Sequence, residues 1–446
     1  MRSHHDLRGL GDHTSVTLLP VAALKLADRN ARTHSAKQVR QIADSIAAFG
    51  FVNPILVDEH DRVLAGHGRL AGARLIGMTE VPVLRITHLG AAEKRAYALA
   101  DNRIAELAGW DEALLAVELQ ELVALDTEFD VTVTGFDSAD IDLKIQSLTP
   151  DDADDDVVPP PNPGPPLCAP GDVWTLGRHR LICGDARDAQ VHDQLMAGET
   201  ARLVLTDPPY NVPIAGHASG LGRTLHPDFA MAAGEMSAEA FTAFLAATLG
   251  EAARVSADGA LHFVFMDWRH MRELLAASVS LYTEQKNLVV WSKTNAGMGS
   301  LYRSQHELVF VFKVGSAPHI NNVALGAYGR HRSNVWTYPG LNSFGKGRDR
   351  HLARHPTVKP VRLLIDAIQD ASHRDDLVLD PFGGSGSTLI AAERTGRRGR
   401  LIELDPGYCD GIVSRWQAVT GQTAIHVGSG QRFFERSAAL REGGVA

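Results

Sequence analysis

Apolar residues recur with two different periods along this chain. Between Ser35 and Phe49, Val39, Ile42, Ile46 and Phe49 return every three or four residues, which predicts a helix closed by Gly50. Short apolar runs at Pro54–Val57, Val63–Ala65 and Glu80–Ile86 predict strands, with a helix over Leu70–Ile76. Ala91–Leu125 is helical in pattern. Asp111 starts its second part, and Leu114, Leu115, Leu119, Leu122 and Val123 form its buried face. Asp151–Asp156 then holds five Asp in six residues, and Pro159–Pro166 six Pro in eight, which predicts an extended, charged, disordered linker. From Gly171 strands and helices alternate. Hairpin strands are expected at Trp174–Leu176 and Arg180–Ile182, and further strands at Leu203–Leu205, Leu261–Met266, Leu288–Trp291, Leu308–Phe312, Leu377–Leu379 and Gly399–Leu404. Helices are expected at Phe241–Val255, Val361–Ala371, Ser387–Thr395 and Tyr408–Val419. That alternation is α/β, a doubly wound and mostly parallel sheet, preceded by a small α+β domain with a helical appendage.

The resulting division is a first domain over 16–90, a helical extension over 91–146, a linker over 147–170 and a second domain over 171–425. The length of 446 residues suits two or three domains. With no 18-residue apolar span and no cationic, apolar leader, a cytosolic (cytoplasmic) protein with no membrane contact is expected. Three cysteines, Cys168, Cys183 and Cys409, are too scattered for a disulfide scaffold or a zinc cluster. A net charge of −9 means that any nucleic-acid site must be a local basic patch.

The chemistry concentrates at Thr206-Asp207-Pro208-Pro209-Tyr210. Pro cannot continue a central ladder, so the chain leaves the sheet after Leu205 and presents an acid and an aromatic ring at a strand's carboxyl end. In open α/β sheets ligands bind there. A second stretch, Leu379-Asp380-Pro381-Phe382-Gly383-Gly384-Ser385-Gly386-Ser387-Thr388, reads as strand, Gly-rich turn and helix start. Glu403 follows Ser385 by 18 residues, where an acid can accept hydrogen bonds from ribose hydroxyls. The loop lacks Gly-Lys-Ser/Thr, and Asp380 stands where a phosphate loop has Lys, so a cofactor with a cationic amine fits better than a triphosphate. In the first domain, Gly66-His67-Gly68-Arg69 lies between a strand and a helix. Both a phosphate site and a plain tight turn with an exposed Arg fit it.

These motifs support two resemblances. Residues 171–425 resemble the S-adenosylmethionine-dependent amino-directed DNA methyltransferases. Asp-Pro-Pro-Tyr is that family's catalytic motif and Asp380–Gly386 its cofactor motif, and their order is that of the beta group. His355-Pro356-Thr357-Val358-Lys359-Pro360, Gly184-Asp185-Ala186, Trp291-Ser292-Lys293, Tyr302-Arg303 and His306-Glu307 fit the same pattern. Residues 16–90 resemble the N-terminal domain of the ParB/sulfiredoxin-like superfamily, through Gly50–Ile55, Val63–Leu70, Gly77 and Val81-Pro82-Val83. Gly-His-Gly-Arg stands where partition proteins usually have Gly-Glu-Arg-Arg.

The first resemblance implies a Rossmann-like fold, S-adenosyl-L-methionine as cofactor and double-stranded DNA as partner. It implies catalysis by Asp207, Pro208, Pro209 and Tyr210, with Tyr210 stacking on a flipped base. Cofactor contacts would come from Asp185, Ala186, Thr357, Lys359, Asp380, Phe382, Gly383, Gly384, Ser385, Gly386, Glu403 and Asp405. Asp380 and Lys359 would hold the methionine end, Glu403 the ribose and Asp185 the adenine. Asp at the head of the motif favours adenine N6 over cytosine N4, and a homodimer is the implied assembly. The second resemblance implies a nucleotide at Gly66, His67, Gly68 and Arg69, so a ParB-like nucleotide-dependent DNA-binding or nuclease protein is the alternative. Methylation of protein glutamine or RNA is a third. Between Val323 and Arg362 eight basic residues oppose one acid. Arg330, Arg332, Lys346, Arg348 and Arg350 are the expected DNA contacts. His351 and His355 have i, i+4 spacing, but Pro356 and the lack of a third ligand argue against a metal.

Overall fold

A computed structural model of the chain describes residues 15–27, 30–125, 129–148, 153–160, 164–212, 234–296, 301–326, 330–340 and 358–436. The chain divides into two compact units, Met1–Thr149 and Pro150–Ala446.

In the first unit β1 (Val16–Pro20), α1 (Ala36–Phe49), β2 (Ile55–Val57), β3 (Val63–Ala65), α2 (His67–Leu75) and β4 (Glu80–Arg85) form a four-stranded sheet of order β1-β4-β2-β3 with its helices. Local chemistry sets the ends of α1. The Ser35 hydroxyl accepts the Gln38 N–H at 3.1 Å, and Gly50, at φ 77°, closes the helix by donating its N–H to Ile46 O. Ile55, Val57, Val63, Val81 and Val83 of the strands are buried in one cluster with Leu70 of α2. Three helices follow: α3 (Ala91–Glu106), α4 (Glu112–Ala124) and α5 (Ser138–Leu148). Asp111 caps α4 as its position predicts, accepting the Leu114 N–H at 3.0 Å. Leu115 and Leu119 pack there with Ile141.

The second unit carries β5 (Val173–Leu176), β6 (His179–Cys183), α6 (Ala189–Met196), β7 (Ala201–Thr206), α7 (Ala238–Arg254), β8 (Ser256–Met266), α8 (Met271–Ser278), β9 (Glu284–Lys293), β10 (His306–Lys313), β11 (Val335–Tyr338), α9 (Val361–Ala371), β12 (Leu377–Asp380), α10 (Ser387–Thr395), β13 (Arg398–Glu403), α11 (Pro406–Thr420) and β14 (Ile425–His426). Its ten-stranded sheet runs β11-β9-β10-β8-β7-β12-β13-β6-β5-β14. The central run β8-β7-β12-β13-β6 is parallel, with antiparallel pairings on both sides of it. Helices bury both faces of the parallel strands, so those strands read as continuous apolar runs. Leu203, Val204 and Leu205 of β7 are each fully buried, which stabilises by about 2 kcal/mol apiece.

From β7 the chain continues to β8 on one side, whereas β12 lies on the other and leads onward to β13. The strand order therefore reverses between β7 and β12, and a crevice opens at their carboxyl ends.

Where it is described, the acidic and Pro-rich stretch departs from its expected disorder. Asp155, Val158 and Cys168 are buried in the second unit, and Asp410 accepts the N–H groups of Leu167 and Cys168 at 2.8 and 2.9 Å. Composition describes a chain in water and does not register that these carboxylates have arginine and backbone partners far along the sequence.

Candidate active site

Four neighbouring parallel strands, β7, β12, β13 and β6, end at the crevice. Asp207, Asp380 and Glu403 stand at or just past the ends of the first three, and Asp185 lies two residues past the last. The Thr206 hydroxyl donates to Asp380 Oδ1 at 2.9 Å, joining the two expected motifs across the crevice. Asp380 also accepts the Thr388 hydroxyl at 2.6 Å and the Phe382 N–H at 3.1 Å. Glu403 accepts the N–H groups of Gly384 and Asp405 at 2.8 and 2.9 Å. Burial pushes both carboxyls up to about 7, with these hydrogen bonds opposing it.

The turn between β12 and α10 is built for close packing. Gly384 and Gly386 have φ of 52° and 78°, and a Cβ on Gly383 would lie 3.0 Å from the Ile412 side chain on α11. Ser385 and Ser387 hydroxyls lie 3.2 Å apart at its tip. Phe382 packs against Phe244, ring centres 6.0 Å apart.

Asp207 is held from both sides. The Tyr210 hydroxyl donates to Oδ1 and Lys359 Nζ to Oδ2, each at 2.5 Å. Lys359 Nζ also lies 3.1 Å from Glu307 Oε2, and Lys293 Nζ donates to Glu307 Oε1 at 2.5 Å. Tyr210 thus spends its hydroxyl on Asp207 and, at 3.2 Å, on Glu307. Lys359 pairs with Asp207 and Glu307 rather than with Asp380. Burial raises both acids, but Glu307 has two lysines against it and is held down to about 2, whereas Asp207 shares one lysine and stays above its usual range. For Lys359 the two acids outweigh burial and raise it, so it keeps its proton.

Glu307 and Lys293 were legible only as parts of a resemblance, without a role. They meet because β9 and β10 pair antiparallel, setting Glu307 opposite Trp291. No local spacing encodes that register.

Other expected residues are placed differently. Arg330 is 5% exposed, and its guanidinium is bound by Asp370 at 2.8 and 2.9 Å, Gln369 at 3.0 Å and Asp366 at 3.2 Å. Arg332 donates to Asp370 at 2.7 Å and to the Tyr338 hydroxyl at 2.8 Å. In this structure the two arginines fasten the strand β11 region to α9. Clustered basic residues signal a phosphate site only while their counter-charges lie elsewhere, and for Arg330 and Arg332 the acids of α9 supply them. Thr357, Lys346, Arg348 and Arg350 lie outside the described residues. Asp185 is taken by Arg187, at 2.6 Å from Nη2, and the Ala186 carbonyl accepts from the His192 ring at 2.9 Å. Asp405 caps α11, accepting from Gly407 and Tyr408 N–H groups at 2.7 and 3.1 Å.

In the first unit Gly66 takes φ 99° and begins α2, and a Cβ there would lie 3.0 Å from the Arg69 guanidinium. Arg69 donates to Pro54 O at 3.3 Å, while its Nε and His67 Nε2 are buried without partners. A Cβ on Gly68 would lie 2.9 Å from Ile42, so this glycine serves the α1–α2 contact.

Comparison with known proteins accounts for this arrangement. Residues 201–414 match the family described as DNA methylase. The Escherichia coli protein YubD, named as a methylase, is 30% identical over 232 residues, which is 52% of this chain and 88% of YubD. The chain belongs to the DNA methylase family. Its N-terminal residues 7–103 match the ParB N-terminal domain and 113–170 the ParB-methyltransferase HTH domain. YnaK of Escherichia coli, named as a ParB-like nuclease domain-containing protein, is 37% identical over 86 residues, 19% of this methylase and 99% of YnaK. Among solved structures, the cytosine-N4-specific PvuII DNA methyltransferase aligns with a TM-score of 0.40 and 14% identity, covering 59% of this chain and 97% of its own. The helix-turn-helix match was missed in the sequence pattern, where α3 and α4 read as an appendage and α5 was not seen.

As a DNA methylase the chain takes its methyl group from S-adenosylmethionine, and the crevice suits that molecule. Asp380 and Glu403 are buried acids whose partners are hydroxyls and backbone N–H groups, not cations. A ligand with cationic and diol groups is what such acids lack. Among the described residues no group of three or more His, Cys, Asp or Glu could hold a metal, and no helix is long and apolar enough to cross a membrane.

Proposed function

We infer that this methylase transfers a methyl group to the exocyclic N6 amine of an adenine flipped out of duplex DNA. The observation that carries this reading is Asp207-Pro208-Pro209-Tyr210 at the end of β7, joined through Thr206 to Asp380 across the crevice. The amine of adenine is a poor nucleophile because its lone pair is delocalised into the ring. Asp207 accepts one of its N–H bonds and the Pro208 carbonyl the other, which draws the nitrogen towards tetrahedral geometry and frees the lone pair. The bound cofactor supplies an electrophilic methyl group. Asp380 and Glu403 would hold its cationic and ribose portions, and Phe382 would pack beside it. Before the amine can reach Asp207, Lys359 must yield Oδ2, and the ionised Glu307 keeps the ammonium group close by. Extruding the base costs a few kcal/mol, which duplex contacts must offset.

Asp rather than Ser at the head of the motif favours adenine N6 over cytosine N4. Tritiated-methyl transfer to duplex DNA, followed by nucleoside digestion and mass spectrometry, tests the reading. N6-methyladenine is expected, and N4-methylcytosine or an unmodified duplex would overturn it.

A second reading applies to the first unit alone. Arg69 Nε and His67 Nε2, buried without partners beside the start of α2, support an anionic ligand such as a nucleotide phosphate. Equilibrium dialysis with labelled nucleoside triphosphates would check it, and absence of binding would dismiss it.

A further inference from the structure

We propose that Asp155 and Asp156, which lie before the catalytic and cofactor motifs, are positioning residues for the cofactor turn and for Lys359. The argument rests on reading Asp380–Gly386 as the cofactor turn. Asp155 makes two attachments. Its carboxylate binds Arg394 of α10, with Nη2–Oδ1 at 2.6 Å and Nε at 3.0 and 3.1 Å. Its carbonyl accepts Arg415 Nη2 at 2.7 Å. Arg415 is fully buried, and its other amino group donates to Ser385 O at 2.8 Å and to the Ser387 hydroxyl at 3.1 Å. One guanidinium therefore bridges the Asp155 backbone and the tip of the cofactor turn. Ser385 and Ser387 flank Gly386, whose left-handed conformation starts α10.

Asp156 reaches the other half of the site. Its Oδ1 accepts the Val361 N–H at 2.8 Å, an orphan donor in the first turn of α9. The N-cap of α9 is Pro360, which has no side-chain acceptor, so the cap comes from 205 residues away. Lys359, which grips Asp207 and Glu307, is two residues before Val361. Consecutive aspartates thus anchor the turn that faces the cofactor and the entry to α9 that presents Lys359.

The test is calorimetric binding of S-adenosylmethionine to the full chain, with methyl-transfer kinetics alongside. In D155A/D156A the dissociation constant and the KM for the cofactor should rise about five- to tenfold, the loss expected for one cap and one partly exposed ion pair. The turnover number at saturating cofactor should fall as well, by about three- to tenfold, because Asp156 seats Lys359 beside Asp207. Asp156→Ser, which retains a capping oxygen, should recover the part of the turnover lost in Asp156→Ala. Unchanged cofactor affinity, even with a lowered melting temperature, would overturn the proposal and leave the two residues as a simple clamp. If the unsubstituted protein binds no S-adenosylmethionine, the reading of the turn itself fails, which is a separate outcome.

Discussion

Asp207 already has both carboxylate oxygens occupied, by Tyr210 and by Lys359. A site of this kind keeps its acceptor oriented while it waits, and a substrate amine must displace one donor. Replacing Asp207 by Asn leaves the volume but changes an acceptor into a donor on one side. Methyl transfer is expected to fall by at least about 100-fold, comparable with loss of one preorganised electrostatic contact. Cofactor affinity should stay within about threefold, and filter-bound tritium together with calorimetry separates the two. The two acids of the cofactor turn make an opposite pair of pH effects. Asp380 and Glu403 titrate near 7 when folded, well above an ordinary carboxyl. The folded state therefore holds protons that the unfolded chain has released. Stability of the free protein is expected to fall as pH rises from about 4 to about 7. Binding of a cation favours the ionised carboxyls, so S-adenosylmethionine should bind more tightly at pH 8 than at pH 6. Calorimetric unfolding and binding at the two pH values check both signs.

At the level of elements, the region around β11 is held by a charged network rather than by apolar contact alone. Arg330 and Arg332 bind Asp366 and Asp370 of α9, and the Tyr338 hydroxyl donates to Asp366 at 2.6 Å. Asp366 is held below its usual range by Tyr338 and the three arginines 332, 362 and 330, against the burial that would raise it. Arg330→Ala would leave two buried acids short of a partner. The expected cost is about 3–5 kcal/mol, read as a lower urea midpoint. A variant of unchanged stability would mean that the network is dispensable. The elements with chemical stops were the legible ones. Ser35, Ser237, Asp111 and Pro360 mark helix starts in the sequence, and the helices begin there. What escaped were α8 and β14, short and without such marks, α6, which is short in spite of its Asp188 cap, and β1 and β11, which gain their strand character from partners far along the chain. The site divides the same way. Asp207, Asp380 and Glu403 sit on contiguous motifs, whereas Glu307 and Lys293 join them through a strand register, and Asp155 and Asp156 through contacts more than 200 residues long.

The whole molecule consists of two units with separate cores. Leu70, Val81 and Val83 centre one in the first unit, and Leu203, Leu205 and Trp416 belong to the large core of the second. Every residue assigned here to the cofactor and the acceptor amine comes from the second unit. A ligand that binds one folded unit stabilises that unit by mass action, by about 2.7 kcal/mol at a concentration 100 times its dissociation constant. For a unit of nearly 300 residues this corresponds to a shift of roughly 4 °C, taking an unfolding entropy of about 2.1 cal/mol/K per residue. Differential scanning calorimetry of the full chain is therefore expected to show two transitions, with S-adenosylmethionine moving the one that belongs to 150–446 and leaving the other in place. The transition of 1–149 should instead respond to a nucleoside triphosphate if His67 and Arg69 receive a phosphate. A single transition, or equal movement of both by S-adenosylmethionine, would mean that the units unfold as one, and that occupancy of the methyl-donor site is transmitted to the ParB-like part of the chain.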